Sequence, residues 1–194
     1  MTATSHPAAP PSGGSTYDAR TIALHWLTVL LVGGQWLGAH AIDWFARGGP
    51  RTDARSVHIL FGVVLAIVIA VRLVWRRSGG QRLPPADGGA LQVVANLVHI
   101  ALYLLVLATV GLGLANAWVR GDSLFGVFSL PGGGDKALRE RIGDLHELSA
   151  NLILLVAGLH SVAALWHQFI RHDGVLGRMV PALARAGGAH GGSH

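Results

Sequence analysis

The stretch DLHELSANLILLVAGLHSVAALWHQFI, residues 144–170, decides the fold. From Leu148 to Ile170 it holds no Lys, Arg, Asp or Glu. About 20 such residues cross the hydrocarbon core of a bilayer as a helix. The stretch nevertheless holds His146 at its start and His160 and His167 further along. An ionisable side chain inside a span is costly and marks a functional position. His146 and His160 are 14 residues apart. At 100° per residue that is about 40° short of four turns, so both project from one face. At 1.5 Å per residue they stand ~21 Å apart along the axis. One helix therefore carries two imidazoles on one face at two depths.

Three more uncharged stretches precede it, between Arg20 and Asp43, from Ser56 to Trp75, and between Asp87 and Arg120. Arg72 falls near the end of the second, where a long side chain can snorkel to the interface. The predicted spans are 21–42, 56–75, 91–118 and 146–170, and Trp26, Trp44, Trp75, Trp118 and Trp166 fall near their ends as an aromatic belt. Composition agrees: of 194 residues, 51% are hydrophobic and 13% charged, with mean hydropathy +0.47. A soluble domain carries about 25% charged residues, so a soluble enzyme and a disordered regulator are excluded. The absence of cysteine excludes disulfides, iron–sulfur clusters and covalently attached c-type haem. The net charge of +5 sits on arginines at helix ends facing anionic lipid, so no nucleic-acid partner is expected. The fold class predicted is an all-α membrane protein, a four-helix transmembrane bundle.

Residues 1–16, rich in Pro, Ala, Gly and Ser, read as a disordered tail. No Lys or Arg precedes Arg20, so the first stretch is expected to be a retained span rather than a signal peptide. Residues 17–175 form the membrane domain, with Lys136 to Arg141 a short surface helix in its longest loop. Residues 176–194 return to Gly, Ala and His and are expected to be a flexible tail. Four spans put both termini on one side. The positive-inside rule barely distinguishes the sides: eight Arg lie on the terminus side, against seven Lys or Arg opposite.

The chain has 11 histidines. Because alternate spans run in opposite directions, His25, early in the first, lies at the depth of His160, late in the fourth. His58 and His146 each open a span from the opposite side and share the other depth. Two imidazoles from different helices at each of two depths are what two bis-histidine haem b groups require. Gly33, Gly34, Gly62 and Gly158 leave room for a flat macrocycle. His99 and His167 lie at the depth of the His25 and His160 pair, surplus to its axial positions. His40 reads as an interfacial histidine with its ring near water.

These residues sit in TIALHW (21–26), VHILFG (57–62), AVRL (70–73), LHELSAN (145–151) and GLHSVAALWH (158–167). With these motifs the chain resembles the bacterial cytochrome b-561 family over roughly residues 17–180. The resemblance implies a four-helix bundle enclosing two haem b groups, in the bacterial inner membrane, with cytoplasmic termini. Its superoxide oxidase-like branch implies electron transfer from periplasmic superoxide to ubiquinone near the cytoplasmic side, and His99 and His167 match that branch's quinone-contacting histidines. The partners expected are membrane lipid, quinone and a small anionic or protein electron donor, and a homo-oligomer is compatible with the sequence. The rival reading is a cytochrome b subunit of a hydrogenase- or formate dehydrogenase-type complex. A histidine-lined metal-ion transporter is disfavoured because the spans hold almost no carboxylate to line a polar path. The loops on the His58 and His146 side carry seven acidic and seven basic residues, which is no basic mouth for an anionic donor.

Overall fold

The computed structural model describes residues 16–86 and 88–188. Four long helices dominate it: α1 (Ala19–Ala41), α2 (Gly49–Ser78), α3 (Gly89–Arg120) and α4 (Lys136–Trp166). Each is long and apolar enough to cross a membrane. A two-stranded hairpin, β1 (Ser123–Leu124) and β2 (Phe128–Ser129), joins α3 to α4, and a short α5 (Pro181–Gly188) follows.

α2 and α3 outrun their predicted spans at both ends, and α1 and α4 at their starts, because their polar ends keep helical geometry beyond the apolar stretch. Pro50 suits the first turn of α2, where a missing N–H costs nothing. Asp135 caps α4 by accepting from the Leu138 N–H at 2.7 Å. The surface helix expected at Lys136 to Arg141 is therefore the opening of α4 itself, and a Lys136–Glu140 pair at 3.6 Å lies along it. Gly121, in the left-handed conformation (φ 66°), closes α3.

Asp18 ties one end of the bundle together. Its carboxylate caps α1 by accepting from the Thr21 N–H at 2.9 Å and the Thr21 hydroxyl at 2.6 Å. It also accepts from the Trp75 indole at the end of α2 and from the Gln81 N–H beyond it. At the opposite end, Ser56 is completely buried. Its hydroxyl donates to the carbonyls of Thr52 and Ser123 and accepts from the Phe125 N–H, which pins the hairpin onto α2.

Lipid tails are as apolar as Leu, so packing and interhelical hydrogen bonds, not water exclusion, hold such helices together. A small apolar core of Leu31, Leu65, Val68, Ile69, Val106 and Ile153 joins all four helices. Most other large apolar side chains face outward, as for Leu30, Leu104 and Leu159. Neighbours pack in sequence order, α1 on α2, α2 on α3, and most closely α3 on α4. Between α1 and α4 the Trp36 indole donates to Asn151 at 2.9 Å.

The tail predicted over 1–16 lies outside the described residues apart from Thr16. The segment expected as a flexible tail over 176–194 is not featureless. It forms a 3-10 turn (Leu176–Arg178) and then α5, because Pro181 opens a run of Ala and Leu suited to a helix. The segment is held against the bundle. The Tyr17 N–H donates to the Arg178 carbonyl at 3.0 Å, and the Trp26 indole donates to the Met179 carbonyl at 3.1 Å. The Arg178 guanidinium donates to the Pro84 carbonyl at 2.7 Å. Residues 189–194 lie outside the described residues.

Candidate functional site

The structure brings His58 and His146 together. Their ring centres are 6.2 Å apart and their planes nearly perpendicular, at 85°. His58 stands near the start of the apolar part of α2, and its backbone carbonyl accepts from the Gln35 amide of α1 at 2.8 Å. The His146 Nδ1 lies 2.9 Å from the Thr109 carbonyl of α3. A carbonyl only accepts, so Nδ1 carries the proton and Nε2 presents its lone pair. The Thr109 hydroxyl donates to Ser149, and Ser149 donates to the His146 carbonyl, which ties this turn of α4 to α3. Gly113 lies directly against the His146 ring, and a β-carbon there would come within 2.9 Å of Cε1. The buried Nδ1 of His58 has no hydrogen-bond partner among the described residues.

A second group of imidazoles forms at the other end of the bundle. His160 of α4 packs edge-on to His99 of α3, with ring centres 5.1 Å apart. His25 of α1 lies within electrostatic reach of both. Arg72 does not snorkel to the interface. α2 continues past it, and Arg76 and Arg77 occupy the helix end instead. One turn inside, the Arg72 guanidinium lies 3.0 Å from the His25 Nδ1 and 5.3 Å from the centre of the Tyr103 ring. A guanidinium only donates, so the His25 Nδ1 accepts in this arrangement.

His167 stands apart from this group. It opens a π-turn (His167–Arg171) at the end of α4, and its Nδ1 lies 2.5 Å from the Asp173 carboxylate. His40 is exposed at the end of α1, stacked on Trp36 with ring centres 4.2 Å apart, and its Nδ1 meets the Trp36 carbonyl. The Thr109 carbonyl, the inward turn of Arg72 and the Asp173 contact were not foreseen. A backbone carbonyl leaves no trace in side-chain spacing. For Asp173 a signal exists: an acid six residues after His167, just before the turn residue Gly174.

Four membrane-crossing helices with imidazoles gathered at two interior depths define a multi-pass membrane protein built around two histidine clusters. A family model described as prokaryotic cytochrome b561 matches residues 16–182. The chain is 32% identical over 174 residues to cytochrome b561 homolog 1 of Escherichia coli K12, covering 85% of this chain and 97% of that one. It is 28% identical over 169 residues to a protein of Yersinia pestis named probable superoxide oxidase CybB, covering 85% and 96%. It is 32% identical over 173 residues to cytochrome b562 of Cereibacter sphaeroides, covering 84% and 94%. The chain belongs to the prokaryotic cytochrome b561 family, a family of helical membrane proteins that bind haem b.

The residues present fit such a group. Two imidazoles on opposite sides of one metal ion, each bonded at about 2 Å with its ring centre about 1 Å behind the nitrogen, have centres roughly 6 Å apart. His58 and His146 stand at 6.2 Å. The Thr109 carbonyl leaves the His146 Nε2 available, as orienting partners of metal-binding imidazoles do. The other cluster offers three imidazoles where two are needed. Ligation through the His25 Nε2 requires its Nδ1 to be protonated, so there Arg72 must exchange His25 for another acceptor.

Proposed function

We propose that this chain is a dihaem cytochrome b of the bacterial inner membrane that passes electrons from periplasmic superoxide to ubiquinone, with both termini cytoplasmic. His58 and His146 would hold the periplasmic-side haem, and His25 and His160 the cytoplasmic-side haem. His99 and His167 contact the quinone. The observation that carries this reading is the gathering of imidazoles at two depths of one bundle, which suits electron transfer across the membrane rather than along one face. The name of the Yersinia pestis relative supports the choice of superoxide.

When bound, each haem supplies a reversible one-electron change at its iron. The chain's own residues do the rest. Held by two imidazoles each, the haems would supply outer-sphere electron transfer rather than dioxygen binding. The apolar helices exclude water from the path, and Thr109 holds His146 in its ligating tautomer. Overall, two superoxide ions lose one electron each to give two dioxygen molecules. One ubiquinone takes the two electrons and two protons to give ubiquinol. His99 and His167 would donate hydrogen bonds to the quinone carbonyls.

The loops at the His58 and His146 end pair much of their charge. Arg51 meets Asp43 at 3.4 Å, and Arg55 and Arg120 both meet Asp122, at 2.9 and 3.8 Å. This favours keeping a protein donor, as in hydrogenase- or formate dehydrogenase-type complexes, as the second reading. The deciding experiment mixes the purified protein with superoxide in a stopped-flow spectrometer and follows haem absorbance. Rapid haem reduction, followed by reoxidation on adding ubiquinone, is the expected result. No reduction by superoxide, together with a co-purifying iron–sulfur subunit, would replace superoxide by the protein donor.

A further inference from the structure

The α4 helix does not end simply. Its last α-helical residue is Trp166, and the chain then widens into the π-turn His167–Arg171. Such turns are rare and are frequently found at functional sites. His172 and Gly174 follow with left-handed backbones (φ 52° and 70°) and double the chain back. The Asp173 N–H donates to the His167 carbonyl at 3.3 Å, and the Asp173 Oδ2 lies 2.5 Å from the His167 Nδ1. The other carboxylate oxygen accepts from the Val175 N–H, and the Arg171 Nε stands 3.7 Å from Oδ2. Both side chains are mostly covered, 17% exposed for His167 and 23% for Asp173.

We infer that Asp173 is a positioning residue that holds His167 in the tautomer able to pass protons to the quinone, an inference that rests on the quinone reading of His167. A carboxylate accepts only, so the imidazole facing it keeps its proton on Nδ1. Nε2 is then the nitrogen that loads and unloads. In each transfer the Nε2–H bond breaks, its electron pair stays on nitrogen, and an O–H bond forms on a quinone oxygen. Water at the cytoplasmic surface restores the proton. One quinone takes two such protons with the two electrons that reach it from the one-electron donor. Burial works to raise the Asp173 carboxyl, but the His167 hydrogen bond, the Val175 N–H and the charges of His167 and Arg171 hold it below the usual carboxylate range. Among the described residues, the charged group beside the pair is Arg171 on the π-turn.

The variant Asp173→Asn tests this. An amide N–H donates to Nδ1 and moves the ring proton to Nε2. The corresponding change in a serine-protease triad lowers turnover about 10⁴-fold. Stoichiometrically reduced, haem-loaded protein in detergent is mixed with short-chain ubiquinone, and haem reoxidation is followed. The expected result is a fall of ~10–100-fold in Asp173→Asn, with both haem spectra unchanged and most of the rate kept in Asp173→Glu. The far-downfield ring-proton resonance of His167 should vanish in Asp173→Asn and remain in Asp173→Glu. If His167→Ala is slow but Asp173→Asn matches the parent, the positioning role fails and the quinone reading stands. If both variants keep the parent rate, the quinone reading itself fails.

Discussion

At the scale of single residues, Gly113 guards the place of one imidazole. A methyl group there would stand 2.9 Å from the His146 ring, whose Nδ1 meets the carbonyl of Thr109, one turn before Gly113 on α3. Gly113→Ala must therefore push the ring off its position. The expected outcome is a fall from two haems per chain toward one, measured by acid-solvent extraction. Gly111→Ala, with nothing within 4 Å of the added carbon, should keep both and serves as the helix-propensity control. The other cluster poses a sharper question, because the His160 ring lies against His99. With His160 as the axial ligand, His160→Ala should lose one haem or turn it high-spin, while His99→Ala keeps two low-spin spectra. The reverse pattern would make His99 the ligand.

At the scale of elements, Asp18 shows how a cap becomes a junction. Burial works to raise its carboxyl, but hydrogen bonds from the Thr21 side chain and backbone, the Gln81 N–H and the Trp75 indole lower it from 3.8 to about 2. The folded form thus prefers the carboxylate. Its contribution is complete above about pH 4 and is lost as pH falls from about 4 through about 2. Asp18→Ala should lower stability in detergent by about 0.5–2 kcal/mol, the usual cost of a lost N-cap. The variant should also show a flatter acid limb in thermal unfolding monitored by circular dichroism. The spans themselves are legible in the sequence, because uncharged runs of the right length have few alternatives in a membrane protein. So is the shared depth of His58 and His146, since depth follows from span order alone. Rotation of each helix about its axis does not follow from depth. That is why His160 meeting His99, and Arg72 turning inward to His25, escape the sequence. The continuation of α4 from Lys136 escapes for a different reason: the charged start of a membrane helix carries no hydropathy signal.

At the scale of the whole molecule, charge is balanced where an anionic donor would approach. The loops at the His58 and His146 end hold seven acids and seven bases, and several of the arginines are already paired. Strong electrostatic steering falls steeply with salt. Haem reduction by superoxide should therefore slow by less than about twofold between low ionic strength and 0.15 M. A steep decline would place an unbalanced basic patch at the entry point.

The bonds of Tyr17 and Trp26 to Arg178 and Met179 also set an order of events during biosynthesis. Trp26 and its acceptor are 153 residues apart. At synthesis rates of 5–20 residues per second, the acceptor is made roughly 8–30 s after the indole that reaches for it. Through that interval the first helix waits without its last fastening, and the seam toward α4 depends on Trp36 and Asn151 once α4 arrives. The final stitch to Met179 forms only after the rest of the bundle has been made.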